Sequence, residues 1–187
     1  MNLGVYGRIN LENALAALAT THQMGVVEST LREAIASYSG VKRRFDVKIE
    51  NENRMYIDDY AHHPEELRAF ISSVREALPG KPLTGVFQPH LYSRTKDFAK
   101  GFAESLSLLD HVVLMDIYPA REEPLPGVSS RIIFDELKNH GEKLQASKEQ
   151  ILKVIEELDP TVLLTMGAGD IDQFVEPITA MLKGREK

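Results

Sequence analysis

Residues 55–87 read MYIDDYAHHPEELRAFISSVREALPGKPLTGVF, and the reading of this stretch decides the fold class. It opens on the apolar run Met55 to Ile57, closes on the apolar run Leu83 to Phe87, and carries an amphipathic segment between them. In that segment Leu67, Phe70, Ile71, Val74 and Leu78 fall on one helical face, while Glu65, Glu66, Arg68 and Arg75 fall on the other. Pro64 suits the first turn, where its missing N–H leaves no intrahelical bond unmade. Strand, helix and strand in so short a span form the repeating unit of a parallel sheet.

The same rhythm continues downstream. Val112 to Met115 and Val162 to Met166 are further apolar runs, and amphipathic stretches begin near Arg94, Ser130 and Ser147. Ser147 and Gln150 have capping-box spacing for a helix that buries Ile151, Val154, Ile155 and Leu158. Pro119 to Gly127, rich in proline and charge, is expected to be a loop. The chain is therefore expected to be α/β, a mostly parallel sheet with helices on both faces.

Upstream the pattern is helical. Leu11, Leu15, Leu18 and Ala19 recur at helical spacing within Asn10 to Gln23, and Gly25 follows as a stop. A second helix is expected from Glu28 to Tyr38, with Thr30 and Glu33 at capping-box spacing and Gly40 as terminator. Two such helices make a poor domain alone. The boundary is thus expected near residue 40, a short helical segment over 1–40 preceding an α/β domain over 41–187.

Composition narrows the function classes. Of 187 residues, 43% are hydrophobic, enough for a real core in one domain or one and a half. The 22 basic and 28 acidic side chains leave a formal charge of −6, which argues against a protein that wraps nucleic acid. Cysteine is absent, which excludes disulfides, thiolate metal sites and cysteine nucleophiles, and is compatible with a reducing, cytoplasmic setting. No apolar run approaches the roughly 20 residues that span a bilayer, and the first residues lack the basic and apolar regions of a signal peptide. A soluble protein without membrane partners is expected.

Ligands of such sheets bind beyond the carboxyl ends of the strands. There the sequence places Asp58 to Pro64, Gln88 to Arg94, Asp116 to Tyr118 and Gly167 to Asp170. Polar or glycine-rich groups at four successive strand ends exceed what a purely structural sheet needs. Asp58, Asp59, His62 and His63 have side chains that ligate divalent ions, but no third spaced ligand set accompanies them, so no metal site is assigned. They suit hydrogen bonding to a small polar ligand, or, more plainly, capping of the next helix. His90 and Arg94 stand four apart at a helix start, where guanidinium and helix dipole together suit a carboxylate or phosphate; pairing of Arg94 with a surface acid is the plain alternative. Lys42, Arg43 and Arg44 form either a solvated hinge or a phosphate clamp in a crevice between domains. Gly167-Ala168-Gly169-Asp170 lacks a full dinucleotide fingerprint and reads as a tight strand-to-helix turn. Asn10 and Asn13 read, by themselves, as a cap and an exposed amide. Nowhere does the chain contain G-x-x-x-x-G-K-[ST], so nucleotide phosphate chemistry would need another domain.

Five segments in order resemble the Mur ligases: Gly7 to Ala17 (GRINLENALAA), Gly40 to Phe45 (GVKRRF), Asp58 to Pro64 (DDYAHHP), Phe87 to His90 (FQPH) with Tyr92 to Thr95 (YSRT), and Gly167 to Ile171 (GAGDI). The resemblance covers essentially the whole chain and is strongest to the branch that joins L-alanine to UDP-N-acetylmuramate in peptidoglycan synthesis. It implies a cytoplasmic three-domain enzyme: an amino-terminal domain for the uridine nucleotide sugar, a central ATPase domain with the P-loop, and a carboxyl-terminal Rossmann-like domain. Residues 1–40 would then be the helical tail of the central domain and 41–187 the carboxyl-terminal domain. The implied reaction passes the ATP γ-phosphoryl group to the lactyl carboxylate, with Mg2+ neutralising the phosphates, before the L-alanine amine attacks the acyl phosphate. The motifs imply that Asn10, Asn13, Arg44 and Asp59 meet the nucleotide, Arg44 at its phosphates and Asp59 at its ribose or in the hinge. They imply that Tyr60, His62, His90 and Arg94 line the L-alanine pocket, Arg94 meeting the carboxylate. Leu91 stands where many members have arginine, which leaves Arg94 more of that task. No complete catalytic set is expected here, and the chain alone is expected to be inactive and to hold neither ATP nor Mg2+ tightly.

Two alternatives stay open. The related ligase that recycles the murein tripeptide shares the Asp58 to Pro64 type of motif, although Phe87 to His90 points away from it. A free-standing, non-catalytic binding module is the other, and against it the first helices would expose an apolar face with nothing to cover it.

Overall fold

The computed structural model describes residues 3–139 and 141–184. The apolar runs become the inner strands of a six-stranded sheet built from β1 (Asp46–Glu50), β2 (Met55–Asp59), β3 (Leu83–Phe87), β4 (His111–Met115), β5 (Lys143–Ala146) and β6 (Val162–Met166), in the order β1-β2-β6-β3-β4-β5. All neighbours pair in parallel except β1, which runs antiparallel to β2. The helices are α1 (Arg8–Gln23), α2 (Glu28–Ser37), α3 (Pro64–Ala77), α4 (Tyr92–Leu106), α5 (Arg131–Phe134), α6 (Ile151–Leu158) and α7 (Val175–Gly184), with a 3-10 turn over Asp170–Phe174.

Alternate strand residues feed two cores, as the pleat requires. Ile57, Phe87, Leu114 and Leu164 pack under α3, α4 and α5 with Leu67, Phe70, Phe102 and Ile133. Tyr56, Val86, Val113 and Leu163 face the other way, against Ile151 and Ile155 of α6 and Val175, Ile178 and Leu182 of α7. The chain runs outward from β2 to β5 with its helices on the first face, then returns through α6 on the second and inserts β6 between β2 and β3. Loops leaving β6 and its neighbours therefore head to opposite faces, which makes this the crevice where such sheets bind ligands.

The structure departs from the sequence-based expectation in its details. Both edge strands, β1 and β5, are additions. The stretch near Ser130 contracts to the four residues of α5, and α4 starts at Tyr92, ahead of Arg94. No box forms at Thr30 and Glu33, because α2 already begins at Glu28 behind Val27, with no side-chain cap. Only one arm forms at Ser147: Gln150 Oε1 accepts the Ser147 N–H at 3.1 Å, while the Ser147 hydroxyl donates to Glu149. Helix α1 buries none of its residues, and Leu11 and Leu15 remain 59% and 66% exposed. Among the described residues, no helix is long and apolar enough to cross a membrane.

Candidate functional site

The turn after β6 is built by close approach. Gly167 has φ +143°, and a Cβ there would come within 2.8 Å of the Gln88 carbonyl oxygen. A Cβ on Gly169 would lie 2.4 Å from Gln88 Oε1, so this glycine is required for space rather than for backbone freedom. The vacated room admits the buried Gln88 amide, whose Nε2 donates to Asp170 Oδ1 at 2.7 Å and whose Oε1 accepts the Ile171 N–H at 2.9 Å. Asp170 is also ion-paired with Lys148. The turn is thus the strand-to-helix connection that its sequence indicates.

At the end of β2, strand alternation sends two adjacent aspartates to different duties. Asp58 is fully buried; Oδ1 accepts the Thr165 hydroxyl at 2.6 Å and Oδ2 accepts Arg43 Nε at 3.1 Å. Burial pushes its carboxyl above the usual range, against the Thr165 and Arg43 contacts. Arg43 also donates to the Gly167 carbonyl at 2.7 Å and lies 5.2 Å from the centre of the Tyr60 ring. Asp59 instead ties the segment before β1 to the loop after β2: Oδ2 accepts the Phe45 N–H and Oδ1 the Ala61 N–H, both at 2.8 Å. Its carboxyl is pushed up to about 6 by burial, although both N–H groups favour the charged form. Neither aspartate caps α3; Glu66 does so, accepting the N–H groups of His62 and His63 at 2.9 and 3.2 Å.

Asn10, Asn13, Arg44 and Asp59, the four residues matched to nucleotide motifs, line one cavity of about 220 Å3, walled by Phe45, Phe70 and Tyr60. Two carboxamides that both donate and accept, an exposed guanidinium and aromatic walls suit a phosphorylated nucleoside. Lys42 is exposed, and Asn10 Nδ2 also donates to the Tyr6 carbonyl at 2.7 Å.

The residues matched to the amino-acid pocket gather nearby. The Tyr60 and His62 rings lie 5.2 Å apart and those of His62 and His90 6.3 Å apart. Among the described residues, His90 Nδ1 and Arg94 Nη1 are buried without hydrogen-bond partners, two polar atoms left for another group to satisfy. Burial, then the Arg94 charge, then His62 depress the His90 pKa. Between them Leu91 adopts φ +72° at the start of α4, a conformation costly for a leucine. Its N–H donates to the Tyr118 carbonyl at 2.9 Å, and its carbonyl accepts the Thr95 hydroxyl at 2.7 Å. Glu122 accepts the Ser93 N–H at 2.9 Å, pinning the loop after β4 to α4. The basic run and the strand-end cluster already held Arg43 and Tyr118, but their partners, distant in sequence, were not legible there, and Glu122 carried no signal of its own. Asp58, Asp59, His62 and His63 do not converge on a point, and no group of three or more metal-ligating side chains forms among the described residues.

The family described as Mur ligase, glutamate ligase domain, matches residues 43–169. The UDP-N-acetylmuramate–L-alanine ligase of Phocaeicola vulgatus is 50% identical over 182 residues, spanning 97% of this chain and 40% of its own length. That of Porphyromonas gingivalis is 53% identical over 184 residues, spanning 98% and 40%. The solved UDP-N-acetylmuramate-alanine ligase of Thermotoga maritima matches with a TM-score of 0.81 at 30% identity, over 98% of this chain and 40% of that one. A murein peptide ligase of Psychrobacter arcticus shares the fold, with a TM-score of 0.64 at 22% identity over 97% of this chain and 38% of its own. The chain thus spans about 40% of the length of the curated relatives it matches.

Proposed function

The chain belongs to the Mur ligase family, and from that premise we propose that it is the carboxyl-terminal domain of a UDP-N-acetylmuramate:L-alanine ligase, a cytoplasmic enzyme of peptidoglycan synthesis. One observation carries the acceptor assignment: His90 Nδ1 and Arg94 Nη1 lie buried and unpartnered at the strand ends of a chain half-identical to ligases named for L-alanine. An arginine fork meets a carboxylate with strong, directional hydrogen bonds, so Arg94 is assigned the L-alanine carboxylate. His90, its pKa lowered by burial and by Arg94, is assigned to accept a hydrogen bond from the amino group. Tyr60 and His62, whose rings meet edge-on, are assigned the wall that faces the substrate side chain. Arg44 is assigned the nucleotide phosphates, Asn10 and Asn13 the nucleoside, and Asp59 the hinge that sets Arg44 beside them.

In the proposed reaction, ATP phosphorylates the lactyl carboxylate of UDP-N-acetylmuramate. The alanine nitrogen then bonds to the acyl carbon as the carbon–oxygen bond to phosphate breaks and the amine loses a proton. Bound Mg2+ would neutralise phosphate charge; the described residues offer it no ligand group, and no step here is assigned to it. This chain grips two of the three substrates, while the P-loop and the nucleotide-sugar site are proposed to belong to other domains. Helices α1 and α2 are proposed as the tail of the central domain, which would cover Leu11 and Leu15. The 187-residue chain alone is proposed to lack ligase activity.

The full-length protein, supplied with ATP, Mg2+ and UDP-N-acetylmuramate, is expected to form the L-alanyl adduct by mass and to ignore the murein tripeptide. Preference for the tripeptide would replace this reading with the recycling ligase. A natural gene product as short as this chain would replace it with a binding module.

A further inference from the structure

His90 is held in an unusual way. A functional histidine is ordinarily oriented by a hydrogen bond to one ring nitrogen, yet the His90 ring makes none to a described residue, and its Nδ1 is buried and orphaned. What fixes the ring plane is contact. The Tyr118 ring stacks on it, with centres 5.6 Å apart and planes inclined by 29°, while His62 meets it edge-on at 6.3 Å. Tyr118 is itself over-determined. It pairs with His90 through the backbone, its N–H donating to the Pro89 carbonyl at 2.8 Å and its carbonyl accepting the Leu91 N–H at 2.9 Å. Its ring packs so tightly on Gly169 that a Cβ there would approach it to 2.8 Å, and the Lys148 ammonium lies 5.8 Å from its centre. Lys148 is anchored in turn by Asp170, which Gln88 holds.

We propose that Tyr118 is a positioning residue for the amino-acid substrate, fixing by stacking the plane of the His90 ring that the substrate meets. The phenol hydroxyl takes no part, since the contact is ring on ring. This deepens the L-alanine assignment and rests on it.

The test is steady-state kinetics of the full-length ligase with His90→Ala, Tyr118→Leu, Tyr118→Met and Tyr118→Phe, reading KM separately for L-alanine, ATP and UDP-N-acetylmuramate. KM does not depend on the folded fraction of a preparation, so a partly unfolded variant still reports. Loss of an aromatic pair corresponds to roughly a three- to tenfold rise in KM for L-alanine. That rise is expected in Tyr118→Leu and Tyr118→Met with the other two KM values unmoved, and Tyr118→Phe is expected to abolish it. A rise in His90→Ala but in neither non-aromatic Tyr118 variant overturns the positioning role, as does equal movement of all three KM values. An unchanged KM for L-alanine in His90→Ala overturns the pocket assignment itself, and this proposal with it.

Discussion

Gln88 donates from Nε2 to Asp170 Oδ1 at 2.7 Å, tying the end of β3 to the turn that follows β6 across the crevice of the sheet. Its Oε1 takes the buried Ile171 N–H in the same grip. Gln88→Leu strands that N–H, a loss worth about 1–3 kcal/mol. Gly169→Ala, which forces a methyl onto the same oxygen, is expected to cost about as much. Urea unfolding of both variants measures this, and a loss under about 0.5 kcal/mol in each, the ordinary surface value, would show that the turn does not depend on the amide.

Leu91 carries φ +72° where α4 begins, between His90 and the arginine assigned to the substrate carboxylate. Leu91→Gly and Leu91→Ala both delete the side chain, but only glycine relaxes the backbone. Leu91→Gly is therefore expected to be the more stable of the pair by about 1 kcal/mol. Equal stability by thermal unfolding would mean that the backbone is unstrained there.

Asp59 makes stability depend on pH with a definite sign. Its carboxyl is raised to about 6 by burial from an ordinary 3.8, so the folded chain binds this proton more tightly than the unfolded chain does. The contribution is fully favourable below the ordinary value, declines as pH rises from about 4 to about 6, and is constant above. Asp58, also raised, adds the same sign. Asp59→Asn is expected to flatten the profile over that window in urea titrations. A variant profile parallel to the wild type would remove Asp59 as the source.

Leu11 and Leu15 are exposed on α1, and their assigned cover is the central domain. Leu11→Glu with Leu15→Glu is expected to leave the melting of this chain within about 0.5 kcal/mol of wild type and to destabilise the full-length protein. Loss of stability in the short chain, with none in the long one, would contradict the assigned boundary.

Much of the fold was legible because burial on both faces leaves an unambiguous mark. Leu83 to Phe87 and Val162 to Met166 are apolar but for one buried threonine each, and both are strands at the stated bounds. The edge strands carry no such run. In β1, Val47 and Ile49 alternate with Asp46, Lys48 and Glu50, a period-2 pattern that would have revealed it. β5 is short and mostly polar, and little in Lys143 to Ala146 distinguishes it from loop. Within the site, Asn10, Asn13, Arg44 and Asp59 were reachable through motifs and do share one cavity. Arg43, read in the sequence only as part of a hinge or phosphate clamp, is instead bound to Asp58, Tyr60 and Gly167, the last of them 124 residues away. Tyr118 was placed at a strand end, but its stacking on His90 was not legible, because only the folded sheet sets the end of β4 beside the end of β3.

The central claim is that one domain carries two separate grips, Arg94 for the amino acid and Arg44 for the nucleotide. The most direct measurement is the set of KM values for L-alanine and ATP in full-length Arg94→Ala and Arg44→Ala. Losing a charged hydrogen-bond partner corresponds to roughly a ten- to hundredfold effect, expected on L-alanine alone in Arg94→Ala and on ATP alone in Arg44→Ala. Reversal of that pattern, or an unchanged KM for L-alanine in Arg94→Ala, would contradict the account.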